Sequence, residues 1–288
     1  RVIIDSSGIT MSSGTVNGLG ILADTTNFVD SILISQNAST GTLDSALNNT
    51  GLGDSVFAAL TSGDANTAIG KDAMNATTTG SNNVGIGTGA LDTNTTGNLN
   101  TAVGRSAMFA NTTGANNVAV GFGALDANTT ADNNTALGYN ALTANTTGTA
   151  NVATGFNSLA SNTTGDFNVA IGYNSLDANT TADNNVAVGT SALGGNTTGA
   201  DNIAIGKNSM VSNTTGANNI AMGSLSLDAN TTGAENIAIG YEALTNNTTA
   251  GNNVAIGKDA LRANTIGNTN IAIGTDAMTT NVAADRNV

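Results

Sequence analysis

The sequence predicts an all-β fold, a parallel β-solenoid wound with one 17-residue coil per turn. Three observations predict it. Gly53, Gly70, Gly87, Gly104, Gly121, Gly138, Gly155, Gly172, Gly189, Gly206, Gly223, Gly240, Gly257 and Gly274 recur every 17 residues without a slip. A short stretch of alternating, β-branched-rich residues precedes each of them. Asn-Thr-Thr triplets follow at a fixed distance, punctuating the chain too densely for helices. Positions below are counted from these glycines, so position −2 lies two residues before and position +4 four residues after.

In chain order, residues 1–30 read as an N-terminal connector. The stretch SILISQNAS (31–39) reads as a degenerate first coil, with Ser35 at the glycine position but one residue out of register. Residues 31–288 then form a β-solenoid of about fourteen 17-residue repeats after that first coil. The chain opens on RVIIDSSG without Met, and Asn287-Val288 fall where a next repeat would begin. Both ends read as cuts, with the solenoid expected to continue beyond 288.

Within a repeat such as NVAVGTSALGGNTTGAD (185–201), position −4 is Asn, as at Asn117, Asn185 and Asn253. Position −3 is Val, Ile or Thr, position −2 is Ala in nearly every copy, and position −1 is a medium-sized apolar residue with Thr154 as the exception. This alternation predicts a strand with two apolar faces, since a wet face would carry polar residues at position −2. The expectation is that Val and Ile point into the coil's own core, while Ala lies against a second backbone. Gly121, Gly189 and Gly257 end such strands, where only glycine suits a left-handed backbone or a close approach. Position +4 is Leu or Met from Met74 to Met278 and predicts a second short strand returning across the core. Position +7 is Asn, as at Asn128 and Asn196, and opens the corner; Asn and Thr bond their own backbone at turns. Stacked corners are expected to form an Asn ladder.

Composition excludes several function classes. The chain has no His and no Cys, which removes the usual acid–base and thiol constellations. Its net charge of −13, with seven scattered basic residues, disfavours nucleic acid. No apolar run is long enough to insert in a membrane. No enzyme, no metal site and no cofactor are expected. Asp166 and Asp183 share a slot in adjacent coils, roughly 5 Å apart, but read as solvated acids beside corners. Asp92, Asp126, Asp177 and Asp228 share another slot, two or three coils apart, too far to hold one cation. The Asn-Thr-Thr triplets match the N-glycosylation acceptor at Asn94, Asn111, Asn128, Asn145, Asn162, Asn179, Asn196, Asn213, Asn230 and Asn247; turn chemistry is the preferred reading and modification the alternative.

The elements NNVAIGKDAL (252–261), ENIAIGYEAL (235–244) and NNVAVGTSAL (185–194) resemble the head repeats of trimeric autotransporter adhesins, the YadA-like family. The resemblance covers 49–288 and implies a left-handed parallel β-roll that assembles as a trimer. It departs from the family in its longer corner and in carrying neither a membrane anchor nor a coiled-coil stalk. VIIDSSGITMSSGTVNGL (2–19) resembles segments of bacteriophage tail-fibre proteins. The thin core and the second apolar strand face independently point to self-association, with a parallel homotrimer as the preferred form. The resulting expectation is a structural and adhesive fibre module, the shaft or head of a phage tail fibre or bacterial surface adhesin. It is expected to be extracellular, with a host-surface glycan or receptor as candidate partner. The alternative is an ice-binding β-solenoid, suggested by the Thr ladders, low charge and few aromatics.

Overall fold

The computed structural model describes residues 45–288 and, of residues 1–44, the backbone of five strands. These are β1 (Ile3–Asp5), β2 (Gly8–Thr10), β3 (Thr15–Val16), β4 (Leu19–Ala23) and β5 (Ile32–Ser35). Strands β1 and β2 pair antiparallel, as do β3 with β4 and β4 with β5. The expected connector over 1–30 thus contains β1–β4, and its other residues lie outside the described ones.

The chain divides into two compact units, Arg1–Asp132 and Asn133–Val288. In the first, β5 is followed by β6 (Thr50–Leu52), β7 (Thr67–Ile69), β8 (Val84–Ile86), β9 (Thr101–Val103) and β10 (Val118–Val120). Each pairs in parallel with the next at 17-residue register, for example Thr50↔Thr67. The register from β5 to β6 is 18, Ile32↔Thr50, the single displaced step of this ladder. The second unit holds β11 (Thr135–Leu137), β12 (Val152–Thr154), β13 (Val169–Ile171), β14 (Val186–Val188), β15 (Ile203–Ile205), β16 (Ile220–Met222), β17 (Ile237–Ile239), β18 (Val254–Ile256) and β19 (Ile271–Ile273). All pair in parallel in chain order. Both units are therefore parallel β-solenoids of 17-residue coils, with no helix among the described residues.

The strand faces are the reverse of the expectation. From β6 onward the central residue of each strand, Ala except at Gly51 and Gly85, is buried inside its own coil, as at Ala136, Ala153, Ala170 and Ala187. The flanking Val, Ile and Leu side chains face outward and are half-buried or exposed. The physical reason lies at position +4. Leu159, Leu176 and Leu193 are completely buried and fill the coil interior, leaving room opposite them only for a methyl group.

The expected return strand is also absent. One strand per coil is present among the described residues, and the segment after each glycine is a run of turns. Positions +2, +4 and +12 have left-handed backbones, as at Asn157 (φ 51°), Leu159 (φ 52°) and Phe167 (φ 58°). The polar backbone of these turns bonds between coils. Leu159 N–H donates to Ser175 O at 3.0 Å, Asn157 N–H to Tyr139 O at 3.0 Å, and Phe167 N–H to Thr149 O at 3.1 Å. Stacking therefore replaces the ladder that a second strand would have supplied.

The glycine at position 0 ends each strand with a conformation reserved for glycine, φ 133° at Gly155. A Cβ there would sit 2.4 Å from the carbonyl oxygen of Gly172 in the next coil. Gly121, Gly189 and Gly257 have the same conformation, at 137°, 133° and 131°.

Candidate interaction face

Two buried asparagine ladders tie the coils together. At position −4, Asn168 N–H donates to Asn151 Oδ1 at 2.9 Å, while Asn151 Nδ2 crosses its own coil to Gly165 O at 2.8 Å. At position +7, Asn162 Nδ2 donates to Asn145 Oδ1 at 2.8 Å and to the same Gly165 O at 3.0 Å. One carbonyl thus accepts from both ladders, using both lone pairs. Asn117, Asn185 and Asn253 hold the first ladder, bonding back to Asn100, Asn168 and Asn236. Asn128 and Asn196 hold the second, bonding to Asn111 and Asn179.

This arrangement encloses the asparagines that match the glycosylation acceptor. Asn94, Asn111, Asn128, Asn145, Asn162, Asn179, Asn196, Asn213, Asn230 and Asn247 are all completely buried. Where bonds of this ladder are described, each Nδ2 is spent inside the coil, as at Asn213, Asn230 and Asn247. No sugar fits on a nitrogen so enclosed.

The acidic slots also have structural duties. Asp166 Oδ1 accepts Thr149 N–H at 2.6 Å, and Asp183 Oδ1 accepts Asp166 N–H at 2.7 Å. Each acid therefore caps the amide of the same slot one coil earlier. Partial burial raises the carboxyls of Asp92, Asp126, Asp177 and Asp228 above their ordinary range, helped at Asp92 by the charge of Asp72 and at Asp228 by that of Glu242. Among the described residues no group of three or more acidic, His or Cys side chains could hold a metal ion. Among the described residues the densest charged cluster is an ion-pair network: Arg262 Nε bonds Glu242 Oε2 at 3.0 Å and lies 3.8 Å from Asp259 Oδ1, and Lys258 pairs with Asp259.

The corner offers one file of free threonine. Thr164, Thr181 and Thr198 at position +9 are exposed. Their neighbours at position +8 spend their hydroxyls between coils, Thr163 Oγ1 donating to Thr180 O at 3.0 Å. A broad two-file threonine plane is therefore not formed, which weakens the ice-binding alternative.

What remains is the outward strand face. No charged residue stands at position −3 or −1 from Thr50 to Ile273. In the second unit, Ile171 is 41% exposed and Ile239 36%. Two such columns run over its nine strands and present a continuous, largely apolar surface, the kind of patch that marks an interaction site. Next to them, at position +1, stands a rib of exposed rings: Tyr139, Phe156 and Tyr173. Their centroids are 5.1 and 5.2 Å apart and their planes within 8° of parallel. The rings stack on one another, so their edges rather than their faces meet solvent, unlike a sugar-stacking platform. In the first unit, Arg105 lies over the ring of Phe122 at 5.5 Å. The sequence reading missed the rib because three Tyr and six Phe looked like scarcity; the signal was their recurrence at position +1.

No protein-family model, no curated protein and no solved structure matches the chain.

Proposed function

We propose that the chain is a structural module of an extracellular fibre, assembled from parallel copies that bury their outward strand faces against one another. The observation that carries this reading is the charge-free, mostly Val/Ile face, repeated on each strand from β6 to β19 of a chain whose net charge is −13. Copies of so acidic a protein repel one another wherever charges meet, and this face is where none do. The resemblance to adhesin head repeats supports three copies and a left-handed winding, and the opening segment supports a virion tail fibre beside a bacterial surface adhesin. In either setting the task is mechanical: stacked coils hold a tip at a distance, and the exposed corner threonines offer hydroxyls to a host-surface glycan or receptor. Electron microscopy tests the reading: particles with a three-lobed cross-section and an axial repeat near 4.8 Å are expected, and isolated single-chain particles would refute it.

A further inference from the structure

We infer that the aromatic rib Tyr139–Phe156–Tyr173 sets the axial register between copies of this chain. The inference rests on the assembly proposed above and goes further, because the strand face alone leaves register undetermined. Its two columns repeat every 17 residues with almost interchangeable Val, Ile, Leu, Met and Thr side chains, and they carry no charge. Sliding one copy along another by one coil, about 4.8 Å, replaces each contact with a near-equivalent one. Regular sheets with uniform faces are prone to such slippage, and coiled coils avoid it by placing distinctive residues at single levels.

Position +1 supplies that distinction. It follows the outer strand column by two residues, as Tyr139 follows Leu137 and Tyr173 follows Ile171. It is exposed, so it is available to a neighbour, with Tyr139 at 46%, Phe156 at 41% and Tyr173 at 54%. Along the chain it reads Arg105, Phe122, Tyr139, Phe156, Tyr173, Thr190, Lys207, a block of rings bounded by polar residues. In register, ring levels meet ring levels and the widest apolar part of the face closes on itself. Within the second unit, a one-coil slip sets Tyr173 of one copy against Thr190 of the next and breaks the ring-to-ring match. The rings are prestacked, so little side-chain freedom is lost when a neighbour packs on them. Aromatic side chains that pack against a partner are also where interface energy concentrates.

The chain has no cysteine, which permits a clean test. Chains carrying Val186→Cys and chains carrying Ile203→Cys, one coil apart on the outer face, are mixed, unfolded, refolded together and oxidised with glutathione disulfide. With the rib intact, disulfides join like positions, and chains joined 186-to-203 are rare, since a disulfide tolerates only a short Cβ separation. In the background Tyr139→Thr, Phe156→Thr and Tyr173→Thr, the 186-to-203 product is expected to rise roughly three- to tenfold relative to like pairs. An unchanged ratio overturns the register role. A single-chain mass for the unaltered protein in light scattering overturns the assembly itself, a separate failure. The rings lie outside the coil core, so an unchanged circular dichroism spectrum is expected; Phe156→Thr alone serves as the milder variant, with a smaller rise in the same product.

Discussion

At Leu159 the backbone sits at φ 52°, a conformation that costs a β-carbon residue about 1–2 kcal/mol. The side chain is nevertheless completely buried, and burying a leucine stabilises by roughly 1.5–3 kcal/mol. Packing therefore outweighs local preference, coil after coil, from Met74 to Leu261. Gly155 shows the opposite case, where no side chain is tolerated because its φ of 133° and the Gly172 carbonyl 2.4 Å from a would-be Cβ both exclude one. Gly155→Ala is expected to destabilise the coil by about 2 kcal/mol or more, read as a lowered midpoint in chemical denaturation. Asn162→Ala removes the donor to both Asn145 Oδ1 and Gly165 O. Its expected cost is about 1–3 kcal/mol, measured the same way.

At the scale of the strand, the orientation of β13 separates two kinds of substitution. Ala170 is fully buried against the coil interior while Ile171 next to it is exposed. Ala170→Val is expected to overpack the core and cost about 1–3 kcal/mol of coil stability. Ile171→Ser is expected to leave the coil's stability nearly unchanged and to weaken association between copies, seen as a shift to smaller species on dilution. The reverse pattern would restore the orientation first expected from the sequence. That orientation was not legible because both strand faces are apolar: alternation with period two fixes which residues share a face, but not which face is inside. The strand itself and its glycine terminator were legible, since β-branched alternation and an unvarying Gly each have one backbone meaning. The two asparagine ladders were half legible. The corner ladder could be read from Asn-Thr-Thr, but the shared acceptor at Gly165 depends on how the coil closes. The turn segment was illegible because leucine carries no signature of a left-handed backbone. The capping acids Asp166 and Asp183 looked like surface charge, since their acceptor role appears only when the preceding coil is in place.

For the whole molecule, charge and stacking act together. Asp92, Asp126, Asp177 and Asp228 have carboxyls raised by partial burial, so the folded chain holds protons more tightly than the unfolded one. Stability from these groups is highest at or below the ordinary carboxylate value and falls as pH rises through the raised one. Asp259, whose carboxyl Lys258 holds below the ordinary range, works in the other direction and loses its contribution only as pH falls through that lowered value. The melting temperature is therefore expected to rise on acidification from neutral pH and to turn over below the ordinary carboxylate range. Loss of negative charge from a chain of net −13 acts in the same sense by easing repulsion between copies. A melting temperature that falls steadily from neutral pH downward would contradict this.

Assembly through the outward strand face is the claim on which the functional reading stands, and the solution mass of the purified chain by light scattering tests it most directly. Three times the chain's 28.2 kDa is the mass expected, falling towards a single chain when serine replaces Ile171, Ile205 and Ile239 together. A mass of 28.2 kDa for the unaltered protein at micromolar concentration would contradict it.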